Sequence, residues 1–161
     1  MYEFMAWIEG SALGHLMRES GVWTYGCVNL LHILGVASLF GAVLVLDLRL
    51  LGLWRKVALP AISQPTVPVA ATGFIIAVIS GVCLLATKAT EYVDNPFLYI
   101  KFPAIGLGLV NVVALSSLSA WKQHKVRAPS SRERSKLALI GGISLSCWLT
   151  AIAAGRMIGY W

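Results

Sequence analysis

His32 is the side chain of this sequence best placed to do chemistry, because it stands inside a long apolar run. The run reads VNLLHILGVASLFG from Val28 to Gly41, and its other strongly polar residue, Asn29, lies one helical turn from the histidine. Lipid offers an imidazole no hydrogen-bond partner, so the ring must find one in the protein or in a bound group. A structural histidine tied to a neighbouring helix meets that need, and so does a metal or haem ligand or a proton relay. Ionisable residues inside membranes favour a functional role, so we favour the second class.

A second histidine, His15, lies seventeen residues before His32 and can approach it if the chain folds back at Gly21. The remaining histidine, His124, lies in a basic loop that we expect at the opposite end of the bundle. Two imidazoles on opposite faces of a porphyrin are a standard ligation of b-type haem in helical bundles. We therefore predict a haem b site with His32 and His15 as metal ligands and Asn29 beside them.

Three cationic side chains are expected near the same end of the bundle and would complete this site. They are Arg18, Lys101 and Arg156. Their charges could hold haem propionates or the carboxylate of a substrate, although long basic side chains also snorkel to the interface without a ligand. Copper is the rival cofactor, because the thioethers of Met17 and Met157 belong to the same end and suit Cu(I) together with imidazole. No nucleophile–base pair, phosphate loop or carboxylate pair accompanies these residues, so the question of enzymatic activity stays open.

Four apolar segments must position these side chains. Of the 161 residues, 58% are hydrophobic and 12% are charged, and the charged share is about half that of an average soluble domain. Each segment reaches the roughly 20 residues that cross a bilayer. The segments cover residues 22–46, 66–87, 97–120 and 137–159. Short loops between them favour an up-down topology. We predict a single all-α integral membrane domain over residues 1–161, a bundle of four transmembrane helices.

Residues 3–20 predict a further short helix on the outer side, too short and too polar to span the membrane. Its apolar pattern is mixed, which leaves two placements open. The helix lies on the membrane surface as an interfacial element, or it folds over the mouth of the bundle as a re-entrant lid with His15 pointing inward.

The basic residues are distributed unevenly, which predicts an orientation. Nine of the thirteen lysines and arginines fall in or beside two loops. They are Arg49, Arg55, Lys56, Lys122, Lys125, Arg127, Arg132, Arg134 and Lys136. The positive-inside rule then predicts a multi-pass protein of the bacterial inner (cytoplasmic) membrane with both termini on the outer, periplasmic side. The net charge of +6 indicates topology and attraction to anionic lipid rather than nucleic acid. At the inner end of the first span we expect Asp47 and Arg49 to form an interfacial salt bridge.

Small residues spaced four apart allow helices to approach closely in lipid. The second span carries Gly73, Ala77 and Gly81 in that register. Such a stripe serves a compact bundle within one chain, a homo-oligomer or a partner membrane subunit, and the sequence does not separate these possibilities.

Four segments together resemble a family of small four-helix bacterial inner-membrane proteins of undefined role. They are GSALGHLMRES (10–20), VNLLHILGVASLFGAVLVLDLRLLG (28–52), NPFLYIKF (95–102) and AGRMI (154–158). More distantly, a histidine in the first span followed by Lys101 and Asn111 is similar to membrane proteins of the copper-resistance D type, which are implicated in periplasmic copper handling. That similarity implies an outward-facing site of His32, Lys101, Asn111 and Arg156. At Ser116 the chain departs from the histidine of these relatives, so the similarity does not extend to a metal site on the inner side.

Three functions remain open. The first is a membrane-embedded redox or cofactor-binding subunit whose b-type haem takes part in electron transfer. The second is a protein that handles copper or a small solute through the same outer cavity. The third is a non-catalytic structural or assembly subunit whose small-residue stripes pack against partner helices. The first two depend on His32.

Overall fold

The computed structural model describes all 161 residues and contains helices but no β-strand. Seven α-helices follow one another, with short 3₁₀ turns at Ala89–Tyr92 and Ile158–Tyr160. The α-helices are α1 (Tyr2–Glu9), α2 (Ala12–Glu19), α3 (Gly21–Leu51), α4 (Leu59–Thr87), α5 (Pro96–Ser117), α6 (Ser119–Lys122) and α7 (Ser131–Met157). Helices α3, α4, α5 and α7 are long and apolar enough to cross a bilayer. The predicted all-helical fold with four long apolar helices is thus confirmed, and it suggests a multi-pass membrane protein.

Helix α4 begins seven residues earlier than the predicted span, because its prolines do not end it. They are Pro60, Pro65 and Pro68. Proline is favoured in the first turn, where its missing N–H would have no partner anyway, and neighbouring groups satisfy the freed carbonyls deeper in. The connection between α3 and α4 is therefore only residues 52–58.

Helix α7 also begins before its predicted span, because a capping box starts it. The Ser130 hydroxyl accepts from the Glu133 amide, and the Glu133 carboxylate accepts from the Ser130 amide. This reciprocal pairing satisfies two otherwise free amides of the first turn. The preceding long helix, α5, is shorter than predicted and ends at Ser117.

The long helices pack in the spatial order α4, α3, α7, α5. The closest approach joins α3 to α4, where a Cβ on Gly35 would lie 2.7 Å from the Ala77 nitrogen and one on Gly73 would lie 2.6 Å from the Leu39 nitrogen. The backbones touch there only because no side chain intervenes. The small-residue stripe of α4, which includes Gly81, therefore faces α3 of the same chain.

The bundle has two chemically different ends, for which we use fixed names. The terminal end holds both chain termini, α1, α2 and the connection 88–95, and the basic end holds the connections 52–58 and 118–130. An apolar cluster closes the basic end: Leu46, Leu50, Leu59, Ala120 and Leu137. His124 is buried beside it, with Nε2 at 2.8 Å from the Ser63 hydroxyl and its ring stacked on Trp121. This contact ties the 118–130 connection to α4.

The N-terminal segment forms two short helices instead of the single predicted one, because the chain breaks at Gly10 and the Ser11 side chain caps α2. Both helices pack on the terminal end. Gly14 of α2 lies so close to α4 that a Cβ would come within 2.9 Å of the Ala86 carbonyl oxygen. Glu9 of α1 accepts hydrogen bonds from the Thr90 amide at 2.8 Å and the Thr90 hydroxyl at 2.7 Å. These hydrogen bonds, the hydroxyl above all, hold the pKa of Glu9 below its usual value.

Candidate functional site

His32 lies in the terminal half of α3 with its imidazole against α4. Its Nδ1 is 3.0 Å from the Ala77 carbonyl oxygen and 3.1 Å from the Ser80 hydroxyl, whose own hydrogen goes to the Ile76 carbonyl. This network assigns the ring hydrogen to Nδ1, which donates to Ala77 and leaves the lone pair on Nε2. No group of the protein hydrogen-bonds to Nε2.

Gly81 provides the space for the His32 ring. A Cβ at this position would lie 3.0 Å from Cε1 of the imidazole, so any side chain would push the ring away from α4. The hydrogen bond to a neighbouring helix, which the sequence left open as a structural role for His32, is therefore present. It holds the Nδ1 edge of the ring against α4, and Nε2 remains free to accept a hydrogen bond.

The terminal half of α3 is packed on one side only. Every buried residue of α3 lies at Gly35 or beyond, and Asn29 is exposed. At about 100° per residue, Asn29 shares the side of the helix on which Val43 and Asp47 face α7. This side of α3 is therefore uncovered in the terminal half. We call the uncovered region flanked by Asn29, His32 and Lys101 the terminal crevice.

Lys101 reaches into this half of the bundle from α5. Its Nζ would lie 3.5 Å from a Cβ on Gly155 of α7, and its charge is within electrostatic range of the His32 ring. No carboxylate forms an ion pair with it. A partly buried ammonium without a counter-ion is costly in apolar surroundings. Lys101 is therefore the cation of the predicted set that is free to bind an anionic group.

His15 is not brought to His32. It is exposed on α2, and its Nδ1 lies 4.0 Å from the Glu19 carboxylate. The side of α2 that faces the bundle is formed by Gly14 and Met17, both buried. The N-terminal helices therefore cover the terminal end without pointing His15 inward.

The two predicted arginines also contact groups outside the crevice. Arg18 donates to the Thr87 carbonyl at 3.3 Å. The Arg156 guanidinium lies 4.6 Å from the centroid of the Tyr160 ring and donates to the Tyr160 hydroxyl. Neither side chain joins Lys101 in a cationic cluster.

A shallow groove of about 550 Å³ lies beyond the crevice, between α2, the start of α3 and the end of α4. Its polar and polarisable lining consists of Met17, Arg18, Tyr25, Thr87, Lys88, Glu91 and Tyr92. The Lys88 ammonium is 3.1 Å from the Glu91 carboxylate. Of the two cations that line the groove, Arg18 and Lys88, the carboxylate therefore neutralises Lys88. His32 and Lys101 do not line this groove.

A second polar cluster, not predicted from the sequence, lies in the basic half of the bundle. Asp47 of α3 is only 3% exposed and Ser144 of α7 lies beside its carboxyl, yet Oδ2 has no hydrogen-bond partner. Asn111 of α5 donates from Nδ2 to the Ile140 carbonyl at 3.1 Å. Asp47 and Asn111 thus meet the same turn of α7 from two helices. We call Asp47, Asn111 and Ser144 the Asp47 cluster.

The predicted salt bridge between Asp47 and Arg49 is wrong. Arg49 donates to the Val57 carbonyl instead, at 3.0 Å from Nε and 2.8 Å from Nη2. Residues two apart point to nearly opposite sides of a helix, so a carboxyl that faces α7 cannot meet this guanidinium. That spacing is the sequence signal against this ion pair, and the packing of α7 shows that Asp47 is the inward residue.

An apolar layer separates the terminal crevice from the Asp47 cluster. Trp148 of α7 lies at its centre, buried against Leu39 and Val43 of α3 and edge-on to Phe74 at 6.2 Å. Gly108 of α5 admits the indole, since a Cβ there would lie 3.3 Å from the ring. Lys101 and Asn111, ten residues apart on α5, mark the two polar levels, which are about 15 Å apart. Asn111, which the copper-resistance similarity grouped with His32, belongs to the other level.

The residues present do not fit the predicted haem within one chain. Two axial imidazoles must face each other across one iron, whereas His32 is seated between α3 and α4 and His15 is exposed on α2. The residues present do not fit the predicted copper site either, because Met17 is buried in the groove wall and Met157 is exposed on another helix. No three histidine, cysteine, aspartate or glutamate side chains converge on a metal-sized site.

Comparison with known proteins identifies a family but indicates no activity. No curated protein and no solved structure matches the chain, and kinship with the copper-resistance D type stays a prediction. Residues 4–161 match one family along nearly the whole length of the chain. The protein therefore belongs to DUF6644, a family of unknown function.

Proposed function

We propose that the protein is a membrane protein of the transporter class that handles a small anionic solute, with the terminal crevice as its binding site. One observation carries the proposal. Two polar levels, each with an ionisable side chain that lacks a counter-ion, are separated by an apolar layer centred on Trp148. Such residues are expensive inside a membrane and line ion or substrate paths where they occur. This arrangement develops the small-solute hypothesis rather than the haem hypothesis.

The groups in the crevice favour a small hydroxy acid. The Lys101 ammonium has no carboxylate partner and would bind the carboxylate of a solute. The His32 Nε2 carries a lone pair without a donor, so it would accept a hydrogen bond from a hydroxyl. Asn29 offers an amide at the same opening. A solute with a carboxylate beside a hydroxyl satisfies the ammonium and the imidazole together.

The other hypotheses have less support from the geometry. The haem and copper proposals need ligands that the fold holds apart, as described above. The small-residue stripe of α4 does not support the assembly proposal, because Gly73 and Gly81 are already occupied by contacts to α3.

The test compares lactate with propionate, which differ by one hydroxyl, in thermal unfolding of the detergent-purified protein at fixed sodium and ionic strength. Binding to the folded state raises the Tm by mass action. We expect lactate to raise the Tm more than propionate, and propionate more than chloride. Lys101→Met should abolish both shifts and should fold, since it removes a charge that has no partner. Lys88→Met, which breaks an exposed ion pair, is the matched control and should respond like the wild type.

His32→Asn separates the two ring nitrogens. An asparagine amide can still donate to the Ala77 carbonyl, but it has nothing at the position of Nε2. We expect this variant to respond equally to lactate and propionate. The proposal is refuted if neither acid shifts the Tm beyond chloride, if Lys101→Met responds like the wild type, or if Lys88→Met loses the response instead.

A further inference from the structure

The Asp47 carboxyl is the least compensated buried charge in the bundle. It is 3% exposed and its Oδ2 has no hydrogen-bond partner. No lysine, arginine or histidine forms an ion pair with it. The arginine nearest in sequence, Arg49, is bound to the Val57 carbonyl on another side of the helix. A bare carboxylate in such surroundings is unstable, so a positive charge from outside the chain must neutralise it.

The surrounding donor set defines the charge and size of that cation. The Ser144 hydroxyl adjoins the carboxyl, and the Asn111 amide nitrogen is used on the Ile140 carbonyl at the same turn of α7. The asparagine oxygen accepts no hydrogen bond within the protein, and Ser144 is the polar side chain in contact with the carboxyl. One carboxylate and neutral oxygens balance a single positive charge, and oxygen donors suit hard cations. No second acidic or imidazole group is present to hold a divalent metal.

The packing around Asp47 leaves room only for a small ion. A Cβ on Gly141 of α7 would lie 3.0 Å from Leu50 and 3.1 Å from the Asp47 carbonyl oxygen, so the two helices touch beside the carboxyl. The apolar cluster that includes Leu46 and Leu50 closes the basic end immediately beyond it. This packing excludes larger organic cations and hydrated metal ions, so only a proton or a dehydrated sodium ion comes into question.

We propose that Asp47, with Ser144, binds a monovalent cation, either a proton or sodium. Its role as the coupling ion for solute movement rests on the proposed function, whereas binding itself does not. The ion neutralises the carboxylate on the far side of the apolar layer from Lys101. A cation bound there would compensate the charge of Asp47, and an anion bound in the crevice would compensate the charge of Lys101.

Thermal unfolding without any organic solute tests this site, so its failure is separate from failure of the solute proposal. The Tm of detergent-purified protein is measured in sodium chloride and in N-methyl-D-glucamine chloride at equal ionic strength, from pH 5.5 to 8.5. If sodium binds, the Tm rises with the logarithm of sodium concentration, and Asp47→Asn removes the slope. If a proton binds, the Tm falls as pH rises irrespective of sodium, because the folded state must release the proton or keep a bare carboxylate. Asp47→Asn then loses this fall, and only the contribution of the histidines to the pH profile remains.

Ser144→Ala keeps the carboxyl and covers the case in which Asp47→Asn does not fold. It should move the sodium midpoint to higher concentration or shift the pH profile, whereas Ser116→Ala, at an exposed serine on α5, should do neither. A folded Asp47→Asn protein with the wild-type dependence on both sodium and pH overturns the proposal. So does a Ser144→Ala protein whose two dependences equal those of the wild type when Asp47→Asn fails to fold.

Discussion

Gly35→Ala is the substitution that most sharply tests the contact on which the His32 position depends. The added methyl would lie 2.7 Å from the Ala77 nitrogen and 3.0 Å from the Gly73 carbonyl oxygen. Ordinary contact begins near 3.4 Å, so α3 and α4 must separate by about 0.7 Å or distort. Both obstacles are backbone atoms, which cannot rotate aside as a side chain can. Overpacking of this kind costs about 1–3 kcal/mol.

Gly41→Ala on the same helix is the matched control, because nothing lies within 4 Å of its Cβ position. Replacing glycine by alanine in a helix favours the helix by up to about 1 kcal/mol at either site. The difference between the two variants therefore isolates the packing cost. We expect the free energy of unfolding of Gly35→Ala to be about 1–3 kcal/mol below that of Gly41→Ala.

The assay is reversible unfolding in mixed micelles by increasing the fraction of sodium dodecyl sulfate, followed by far-ultraviolet circular dichroism. Gly35→Ala should also weaken the hydrogen bond from His32 to Ala77, which changes the imidazole chemical shifts in an NMR spectrum. Equal unfolding free energies and unchanged imidazole shifts in the two variants would refute the reasoning.

Three further predictions concern other contacts. The pKa of Glu9 is lowered by its hydrogen bonds to Thr90. The contact therefore stabilises the fold fully above the ordinary carboxyl pKa of 4.5, and this stabilisation is lost as the pH falls through the lowered pKa. The protection factors of the α1 amides against hydrogen exchange should fall as the pH drops below 4.5, and in Glu9→Gln they should be lower already at neutral pH and insensitive to this step. Trp148→Ala should destabilise the bundle by about 3–5 kcal/mol in the micelle assay, whereas Leu139→Ala, at a side chain that is 66% exposed, should cost far less. Ser130→Ala removes a side-chain cap of α7 and should cost about 0.5–2 kcal/mol in the same assay.

The fold could be predicted from the sequence because apolar segment length is a strong constraint in a bilayer. The helix ends were less predictable. Helix α4 begins at Leu59, seven residues before the predicted span, and runs through Pro60, Pro65 and Pro68. Likewise Gly10 and Ser11 divide the N-terminal segment into two helices by a local turn and cap, where a single helix was predicted.

The candidate site was predictable only in part. The apolar run around His32 identified a residue that needs a hydrogen-bond partner. Which residues contact its ring, Ala77 and Gly81, depends on how α3 packs against α4. Asp47 was misassigned because a nearby opposite charge, Arg49, offered a simple surface pair. The helical angle between them argued against that pair, and only the packing of α7 shows where the carboxyl goes.

The central claim is that the terminal crevice is an aqueous opening rather than a lipid-facing surface, and thiol accessibility tests it most directly. The three natural cysteines, Cys27, Cys83 and Cys147, are first replaced by alanine. Single cysteines are then introduced as Asn29→Cys and, one residue on but about 100° around the helix, as Leu30→Cys, where the wild-type leucine is 56% exposed. Thiols react as thiolates in water, so a membrane-impermeant maleimide should label Asn29→Cys in intact membranes and leave Leu30→Cys largely unmodified. Equal labelling of the two positions, or labelling of Leu30→Cys alone, would contradict the account.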